Sequence, residues 1–212
     1  MKRTIVITAG PTREYIDPIR FISNESTGIL GNAIARAARD RGHKVIVISG
    51  NKDLEVLSKV RYVYIDSARE LEAALRRHLK KADVLFMTSA VCDFRPVKVA
   101  RYKIKRTGNR PLVVTLRPNR DVLKAMAHSV VKRKKIYVGF CIETSHVLKN
   151  ARSKLKTKNL DMIVASRYSA SQSPFGNRKM SPLILKRDGT VKRIGVITKR
   201  SLAHQLVRMV EQ

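Results

Sequence analysis

Hydrophobic and polar positions follow two alternating patterns along the chain. Short apolar runs, typical of strands buried on both faces of a sheet, occupy residues 5–7, 44–49, 62–65, 84–88, 136–140 and 162–165. The segments between them carry apolar residues at helical spacing, such as Leu30, Ile34 and Ala38. Strands that alternate with helices predict an α/β fold: a mainly parallel sheet with helices on both faces.

One region interrupts this alternation. Residues 93–111 are rich in Pro, Lys, Arg and Gly and have no periodicity long enough for a helix or strand. We interpret the segment as a flap insertion that could cover a site. Residues 112–116 alternate weakly after it.

The C-terminal part predicts a β-hairpin followed by a helix. Apolar runs at 182–186 and 190–195 flank Asp188-Gly189, a dipeptide that favours a tight hairpin turn. Helical spacing then covers 199–210. Since no linker or internal repeat is visible, we expect residues 1–212 to form a single domain.

The composition is that of an ordinary globular protein with little cysteine. The 212 residues are 43% hydrophobic, and no apolar run approaches the ~20 residues of a membrane helix. The first residues predict a strand rather than a signal peptide, so we expect a cytoplasmic protein without membrane contact. The two cysteines, Cys92 and Cys141, form no metal-binding spacing and are interpreted as buried thiols.

Charge is the unusual feature. The chain has 45 Lys and Arg against 16 Asp and Glu, a net charge of +29. Such a field attracts polyanions, so we expect non-specific association with nucleic acid. The basic residues are spread over all predicted elements and aromatic residues are only 5%, which argues against a specific nucleic-acid site.

The first strand and first helix are joined by a loop suited to an anion. The strand stops at Gly10-Pro11, and the helix opens after Ser26. A helix N-terminus offers unpaired amides, and glycines at 10, 28 and 31 let a phosphate approach the backbone. The pattern is not a dinucleotide fingerprint, because Pro11 and Thr12 replace glycines.

The segment TAGPTREYIDPIRFISNESTG resembles the corresponding loop of the phosphopantothenoylcysteine synthetase family, the phosphopantothenate–cysteine ligases of coenzyme A synthesis. The resemblance extends over essentially the whole chain, and Ile29 is a departure, because many bacterial members have lysine there. Further matching motifs begin at Met87, Tyr102, Asn119, Val138 and Ala151. The resemblance implies a Rossmann-like fold and a ligase activity.

For the acyl substrate, the resemblance implies four residues. Asn24 would be catalytic, with its amide donating a hydrogen bond to the acyl oxygen of an activated intermediate. Lys103, on the flap, would be catalytic and bind phosphate when the flap closes. Arg20 and Ala90 would contact the substrate. Spacing alone favours a turn or helix N-cap role for Asn24, and the resemblance is what favours the catalytic role.

For the nucleotide, the resemblance implies a larger set of contacts. These are Gly10, Ser26, Gly28, Gly31, Ser89, Asp93, Lys103, Asp121, Val122, Phe140, Lys154 and Lys158. Structural alternatives stay open for several of them. The glycines could serve close packing, Asp93 and Asp121 could be caps, and Phe140 could be a core residue. No protein metal ligand is expected.

The implied partners are 4′-phosphopantothenate, L-cysteine and a nucleoside triphosphate that carries Mg²⁺. CTP is favoured because the motifs look bacterial, and ATP is possible. Family members are homodimers, so we expect a homodimer in which the flap and the partner complete each site. The chain lacks the flavin-binding decarboxylase domain often fused ahead of this one, so we expect a stand-alone form and a separate decarboxylase.

Two other functions compete with the ligase. A nicotinamide-dependent reductase would share the fold, but the glycine fingerprint is missing, and no acidic ribose ligand is evident after the second strand. A basic nucleic-acid-binding module rests on charge alone.

Overall fold

The computed structural model describes residues 1–132, 134–169 and 173–212. The strands are β1 Thr4–Ala9, β2 Glu14–Tyr15, β3 Phe21–Ile22, β4 Lys44–Ser49, β5 Val60–Tyr64, β6 Val84–Met87, β7 Phe94–Pro96, β8 Leu116–Pro118, β9 Ile136–Glu143, β10 Met162–Arg167, β11 Leu183–Lys186 and β12 Val191–Arg193. The helices are α1 Ile29–Asp40, α2 Ala68–His78, α3 Val122–Ala127, α4 Val147–Thr157 and α5 Lys199–Glu211, with short 3₁₀ turns at Leu79–Lys81 and Val130–Lys132.

The main sheet has the strand order β12-β11-β10-β9-β6-β1-β4-β5. From β10 to β5 neighbouring strands are parallel, while β11 and β12 form an antiparallel hairpin at one edge. The chain therefore has the predicted mainly parallel sheet and the predicted C-terminal hairpin. The Rossmann-like fold class is confirmed.

Hydrophobic side chains cover both faces of the sheet. Alternate residues of β1 point to opposite sides, so that Ile5 and Ile7 belong to the hydrophobic cluster that includes α1 and α5, while Val6 belongs to the cluster on the other face, which includes residues of α2, α3 and α4. The helices contribute fully buried residues such as Ile34 on one side and Leu75 on the other. The prediction of helices on both faces is confirmed.

The flap differs from its sequence interpretation. Phe94–Pro96 and Leu116–Pro118 are strands, paired antiparallel in a small separate sheet, where the sequence predicted no element in 93–111. Only Leu116 of the weakly alternating segment 112–116 belongs to a strand. Strands of three residues are too short to show a period of two, which explains the miss. The flap is therefore the excursion between β7 and β8, residues 97–115.

The loop after β1 also contains structure that its polar sequence did not indicate. Glu14–Tyr15 and Phe21–Ile22 pair as a second small sheet. Buried Glu14 accepts a hydrogen bond from the backbone N–H of Ala68 (3.0 Å), at the start of α2. The loop is thus attached to the main body. Among the described residues, no helix is long and apolar enough to cross a bilayer.

Candidate functional site

A cavity of about 380 Å³, lined by polar and apolar residues, opens at the carboxyl ends of β6 and β9. Its walls come from the loop after β6, the end of β9, the start of α3 and the last turn of α4. This is the edge at which parallel α/β sheets bind ligands. It brings together the predicted site residues Asn24, Ser26, Ser89, Ala90, Asp93, Asp121, Val122, Phe140, Lys154 and Lys158.

The loop after β6 is held in place by threonine side chains. Thr88 Oγ1 donates to the carbonyl oxygen of Thr8 (2.5 Å), and Thr8 Oγ1 accepts from the backbone N–H of Ser89 (3.0 Å). Both backbone groups of Ala90 then bond to the loop after β1, through Gly10 O and Thr12 N. In the described part of the chain, the buried Oγ of Ser89 has no hydrogen-bond partner. Since Ser89 lines the cavity, this hydroxyl is a polar group that a ligand could satisfy.

Asn24 lies in the cavity with a weakly engaged amide. Its Nδ2 donates to the carbonyl oxygen of Ala90 at 3.3 Å and lies 3.6 Å from Cys92 Sγ. The N-cap of α1 is Gly28, so the alternative of Asn24 as the N-cap is wrong. A long bond to one carbonyl leaves this amide able to turn towards a ligand.

The three glycines of the loop have packing roles. Gly10 and Gly28 adopt positive φ, and a Cβ on Gly28 would lie 2.9 Å from Gly10 N. A Cβ on Gly31 would lie 2.8 Å from the Cβ of Ala9 in β1. The described lining of the 380 Å³ cavity does not include Gly10, Gly28 or Gly31. Backbone conformation and close packing therefore account for these glycines, although Gly28 also lines a smaller adjoining cavity, and the phosphate cradle stays a prediction.

Lys154 is paired with Glu143. Lys154 Nζ lies 2.5 Å from Glu143 Oε1. Burial acts to lower the pKa of Lys154, but the hydrogen bond and charge of Glu143 outweigh it and raise the pKa above its ordinary value. The ammonium group at the cavity wall is therefore held in its charged form.

Lys158 is paired with Asp121. Lys158 Nζ lies 2.9 Å from Asp121 Oδ2. Asp121 is also the N-cap of α3, where its side chain accepts from the backbone N–H of Lys124 at 2.9 Å. The capping role left open by the sequence is therefore present, and it coexists with a position on the cavity wall. A phosphate that bound Lys154 and Lys158 would have to compete with two carboxylates.

The two cysteines line the same cavity. Both are buried and free. Burial raises the pKa of Cys141 to about 11 and raises the pKa of Cys92 above its ordinary value. Both thiols are therefore protonated at neutral pH and are poor nucleophiles. The prediction of buried thiols is confirmed.

Arg20 and Lys103 lie away from the cavity wall. The guanidinium of Arg20 bonds to the flap through the carbonyl oxygen of Ile104 (2.9 Å) and faces Asp17. Lys103 is exposed on the flap. In the described residues neither side chain lines the cavity, so their substrate contacts stay predictions that require the flap to move or a partner to approach.

A second cavity of about 80 Å³ adjoins the first and shares Phe140 and Phe175 with it. Its wall includes the buried Lys199, whose Nζ donates to the carbonyl oxygens of Gly176 (2.5 Å) and Arg178 (3.1 Å). Burial lowers the pKa of Lys199. Sequence reasoning assigned no role to the turn at Phe175-Gly176-Asn177. It gave no sign of Lys199, because a lysine in an amphipathic helix usually faces water.

Sequence reasoning also assigned no site role to Glu143 or Asn119. Asn119 Nδ2 donates to the carbonyl oxygen of Cys92 (2.8 Å) and to Glu14 Oε1 (3.1 Å), which joins the base of the flap to the loop after β1. Glu143 belongs to the matching motif that begins at Val138, and its place in that motif was the signal that could have indicated a site role. Within residues 1–132, 134–169 and 173–212, no group of three or more His, Cys, Asp or Glu side chains is arranged to hold a metal ion.

The mainly parallel sheet defines a Rossmann-like α/β protein. The cavity at its carboxyl edge, lined by the Asn24 amide and by Lys154 and Lys158, is a candidate site for an anionic ligand. Residues 1–212 match the family model described as "DNA/pantothenate metabolism flavoprotein C-terminal domain". The chain belongs to this family, as its sequence motifs predicted.

The chain is also similar to individual curated proteins. The chain is 35% identical over 207 residues to the coenzyme A biosynthesis bifunctional protein CoaBC of Bacillus subtilis (strain 168), covering 97% of this chain and 50% of that protein. It is 35% identical over 209 residues to a cysteine/cysteine sulfinic acid decarboxylase of an unknown prokaryotic organism, covering 98% of this chain and 58% of the relative. The chain thus spans about half the length of these curated relatives.

A solved structure also matches. The crystal structure of the C-terminal domain of a coenzyme A biosynthesis bifunctional protein CoaBC has a TM-score of 0.83 and 34% identity, covering 99% of this chain and 94% of that one. The fold is therefore that of the C-terminal domain of this bifunctional protein.

Proposed function

We propose that the protein joins 4′-phosphopantothenate to L-cysteine at the expense of a nucleoside triphosphate. The proposal is supported by the match to the C-terminal part of proteins named for coenzyme A biosynthesis. The observation that carries it is the arrangement of Asn24, Lys154 and Lys158 around one cavity at the carboxyl edge of the sheet. An amide suited to an acyl oxygen then lies beside cations suited to phosphates.

In the first step, the substrate carboxylate attacks the α-phosphorus of the nucleotide. A new bond forms between the carboxylate oxygen and the α-phosphorus, and pyrophosphate leaves with the electrons of the broken P–O bond. Lys154 and Lys158 are the cations that would bind the triphosphate and stabilise the leaving charge. For this, both lysines must turn from Glu143 and Asp121 towards the nucleotide.

In the second step, the amine of cysteine attacks the acyl carbon of the intermediate. The new C–N bond forms, the nucleoside monophosphate leaves, and the amine proton passes to solvent. We propose that the amide of Asn24 donates a hydrogen bond to the acyl oxygen as negative charge develops there. Its present bond to the carbonyl oxygen of Ala90 is long, at 3.3 Å, and can be exchanged for this one. The mechanism needs no side-chain nucleophile, which suits the protonated state of Cys92 and Cys141.

We propose CTP as the preferred nucleotide, with Mg²⁺ entering as part of the triphosphate substrate. Phe140 and Val122 offer an apolar surface for the base, and Asp93 and Ser89 offer polar contacts. A comparison of kcat/KM with MgCTP and MgATP tests the preference. Higher kcat/KM with MgATP would overturn it.

We also propose a homodimer that uses the flap. Tyr102 and Val113 are 73% and 82% exposed, and Val99 and Leu112 add further exposed apolar surface in the same excursion. Exposed apolar residues gathered in one segment favour a protein contact. Light scattering after size-exclusion chromatography at micromolar concentration should give twice the chain mass, and a monomer there would contradict the proposal.

The central experiment incubates the protein with 4′-phosphopantothenate, MgCTP or MgATP, and L-cysteine. Pyrophosphate release and formation of the amide product are followed together. We expect release with phosphopantothenate present and amide product only when cysteine is added. A reductase or a nucleic-acid-binding module would release no pyrophosphate, and that result would overturn the proposed function.

A further inference from the structure

A fully buried carboxylate lies beneath the flap. The side chain of Asp17 has no exposed surface and sits in the turn between β2 and β3. Its Oδ1 accepts from the backbone N–H groups of Ile19 and Arg20, each at 2.9 Å. Its Oδ2 accepts from the backbone N–H of Ile104 at 3.1 Å, a residue of the flap that is 87 positions away. One carboxylate thus joins its own turn to the flap.

Arg20 completes the attachment from the other side of the same flap residue. Its Nη2 donates to the carbonyl oxygen of Ile104 at 2.9 Å, while its Nη1 lies 3.5 Å from Asp17 Oδ2. Both backbone groups of Ile104 are therefore held. A further bond runs from Ala100 N–H to the carbonyl oxygen of Ile16 (2.9 Å). We call Asp17, Arg20 and Ile104 the flap clamp.

The clamp depends on the buried carboxylate of Asp17. Removing a carboxylate from water is unfavourable unless hydrogen bonds and a cation compensate it. Asp17 has this compensation: the backbone N–H of Ile19 contributes most to lowering its pKa, and those of Ile104 and Arg20 contribute further. The carboxylate is thus stable as a charged group in the position where it holds the flap.

The position of the clamp along the flap points to its purpose. Ile104 directly follows Lys103, the residue for which the family resemblance implies phosphate binding when the flap closes. Within the described flap residues 97–115 there is no helix or strand that would fix this lysine. The location of Lys103 therefore depends on the anchored residues on either side of it, Ala100 and Ile104.

We propose that Asp17 is a positioning residue that determines where the flap presents Lys103. Its role for catalysis rests on the proposed ligase function, while its role for the flap does not. Arg20 then contacts Ile104 through Nη2 and Asp17 through Nη1, and its remaining N–H groups are those left for an anionic substrate.

Hydrogen exchange of the full chain, followed by mass spectrometry, tests the clamp without any activity. In Asp17→Asn we expect amides of residues 99–106 to exchange about tenfold faster, the effect of losing one charge-assisted bond. Peptides from β1, β4 and β6 should not change. Asp188→Asn is the control, since this exposed carboxylate accepts from the backbone N–H of Thr190 in the turn between β11 and β12, outside the flap.

A second variant tests the clamp by changing the flap residue. Ile104→Pro removes the N–H group that donates a hydrogen bond to Asp17, and it does not change a residue of the hydrophobic core. It should therefore also speed exchange in the neighbouring flap amides. If Asp17→Asn and Ile104→Pro both leave flap exchange at the wild-type rate, the clamp is overturned. Equal acceleration in the flap and the sheet would also overturn it, because that result reports general destabilisation.

The catalytic part is tested by kinetics. Asp17→Asn should lower kcat about tenfold with the KM for CTP within twofold, and Lys103→Ala should cost less in this background than in wild type. Additive losses, or an unchanged kcat with a faster-exchanging flap, would overturn the positioning role. Absence of ligase activity in the wild type would overturn the proposed function instead, and the exchange result would still decide the clamp.

Discussion

Gly31→Ala reverses the usual effect of this substitution in a helix. Gly31 lies in the first turn of α1, and replacing a helical glycine by alanine normally stabilises by up to about 1 kcal/mol. Here the added Cβ would lie 2.7 Å from Thr88 Oγ1, 2.8 Å from Ala9 Cβ and 3.0 Å from Thr8 O. Two of these atoms belong to β1 at the centre of the sheet and cannot move aside as the end of a long side chain could.

The magnitude follows from the two opposing terms. Overpacking in a well-packed core costs roughly 1–3 kcal/mol, which exceeds the gain in helix propensity. We therefore expect Gly31→Ala to lower the free energy of unfolding by about 1–2 kcal/mol. For a chain of this size, this corresponds to a fall in Tm of roughly 2–8 °C.

Urea unfolding followed by circular dichroism measures this change, with Gly195→Ala as the matched control. Gly195 has no heavy atom within 4 Å of an added Cβ, so its variant should stay within about 0.5 kcal/mol of wild type. A Gly31→Ala protein as stable as wild type, or more stable, would refute the close contact between α1 and β1.

Three further predictions concern the site and the stability of the core and of the C-terminal helix. Asn24→Ala should lower kcat about 10²–10³-fold with the KM for the nucleotide within about twofold, because the lost donor acts on the acyl oxygen; normal turnover at saturation would make Asn24 a structural residue. Tyr137→Phe should raise the free energy of unfolding by about 1 kcal/mol, since the buried hydroxyl of Tyr137 has no partner among the described residues, and a clear loss of stability in urea would contradict this. Hydrogen bonds from Arg41 and His43 lower the pKa of Glu211 to about 2, so its stabilisation is complete above its usual pKa near 4.5 and is lost as the pH falls towards 2. Glu211→Gln should therefore lower Tm at pH 7 by a few degrees and differ less from wild type near pH 2, and an equal difference at both pH values would contradict this assignment.

Elements with long apolar patterns were determined by the sequence alone. The run at 44–49 is the strand Lys44–Ser49, and the helix predicted at 199–210 is Lys199–Glu211. A strand buried on both faces must be apolar throughout, and a helix on a sheet must have one apolar side, so local pattern and burial coincide. For the same reason the site could be placed at the carboxyl edge, since its motifs follow strands.

Only the tertiary structure decided how distant segments meet. The sequence does not indicate that Asp17 holds Ile104, that Glu143 and Asp121 pair with Lys154 and Lys158, or that Lys199 is buried against the turn at Gly176. These contacts depend on the paths of loops. They also depend on charged side chains, and the residue type alone does not indicate whether such a side chain faces water or a partner. The hydrophobic pattern determines which elements form, whereas the packing of those elements determines which polar groups lie within hydrogen-bond distance.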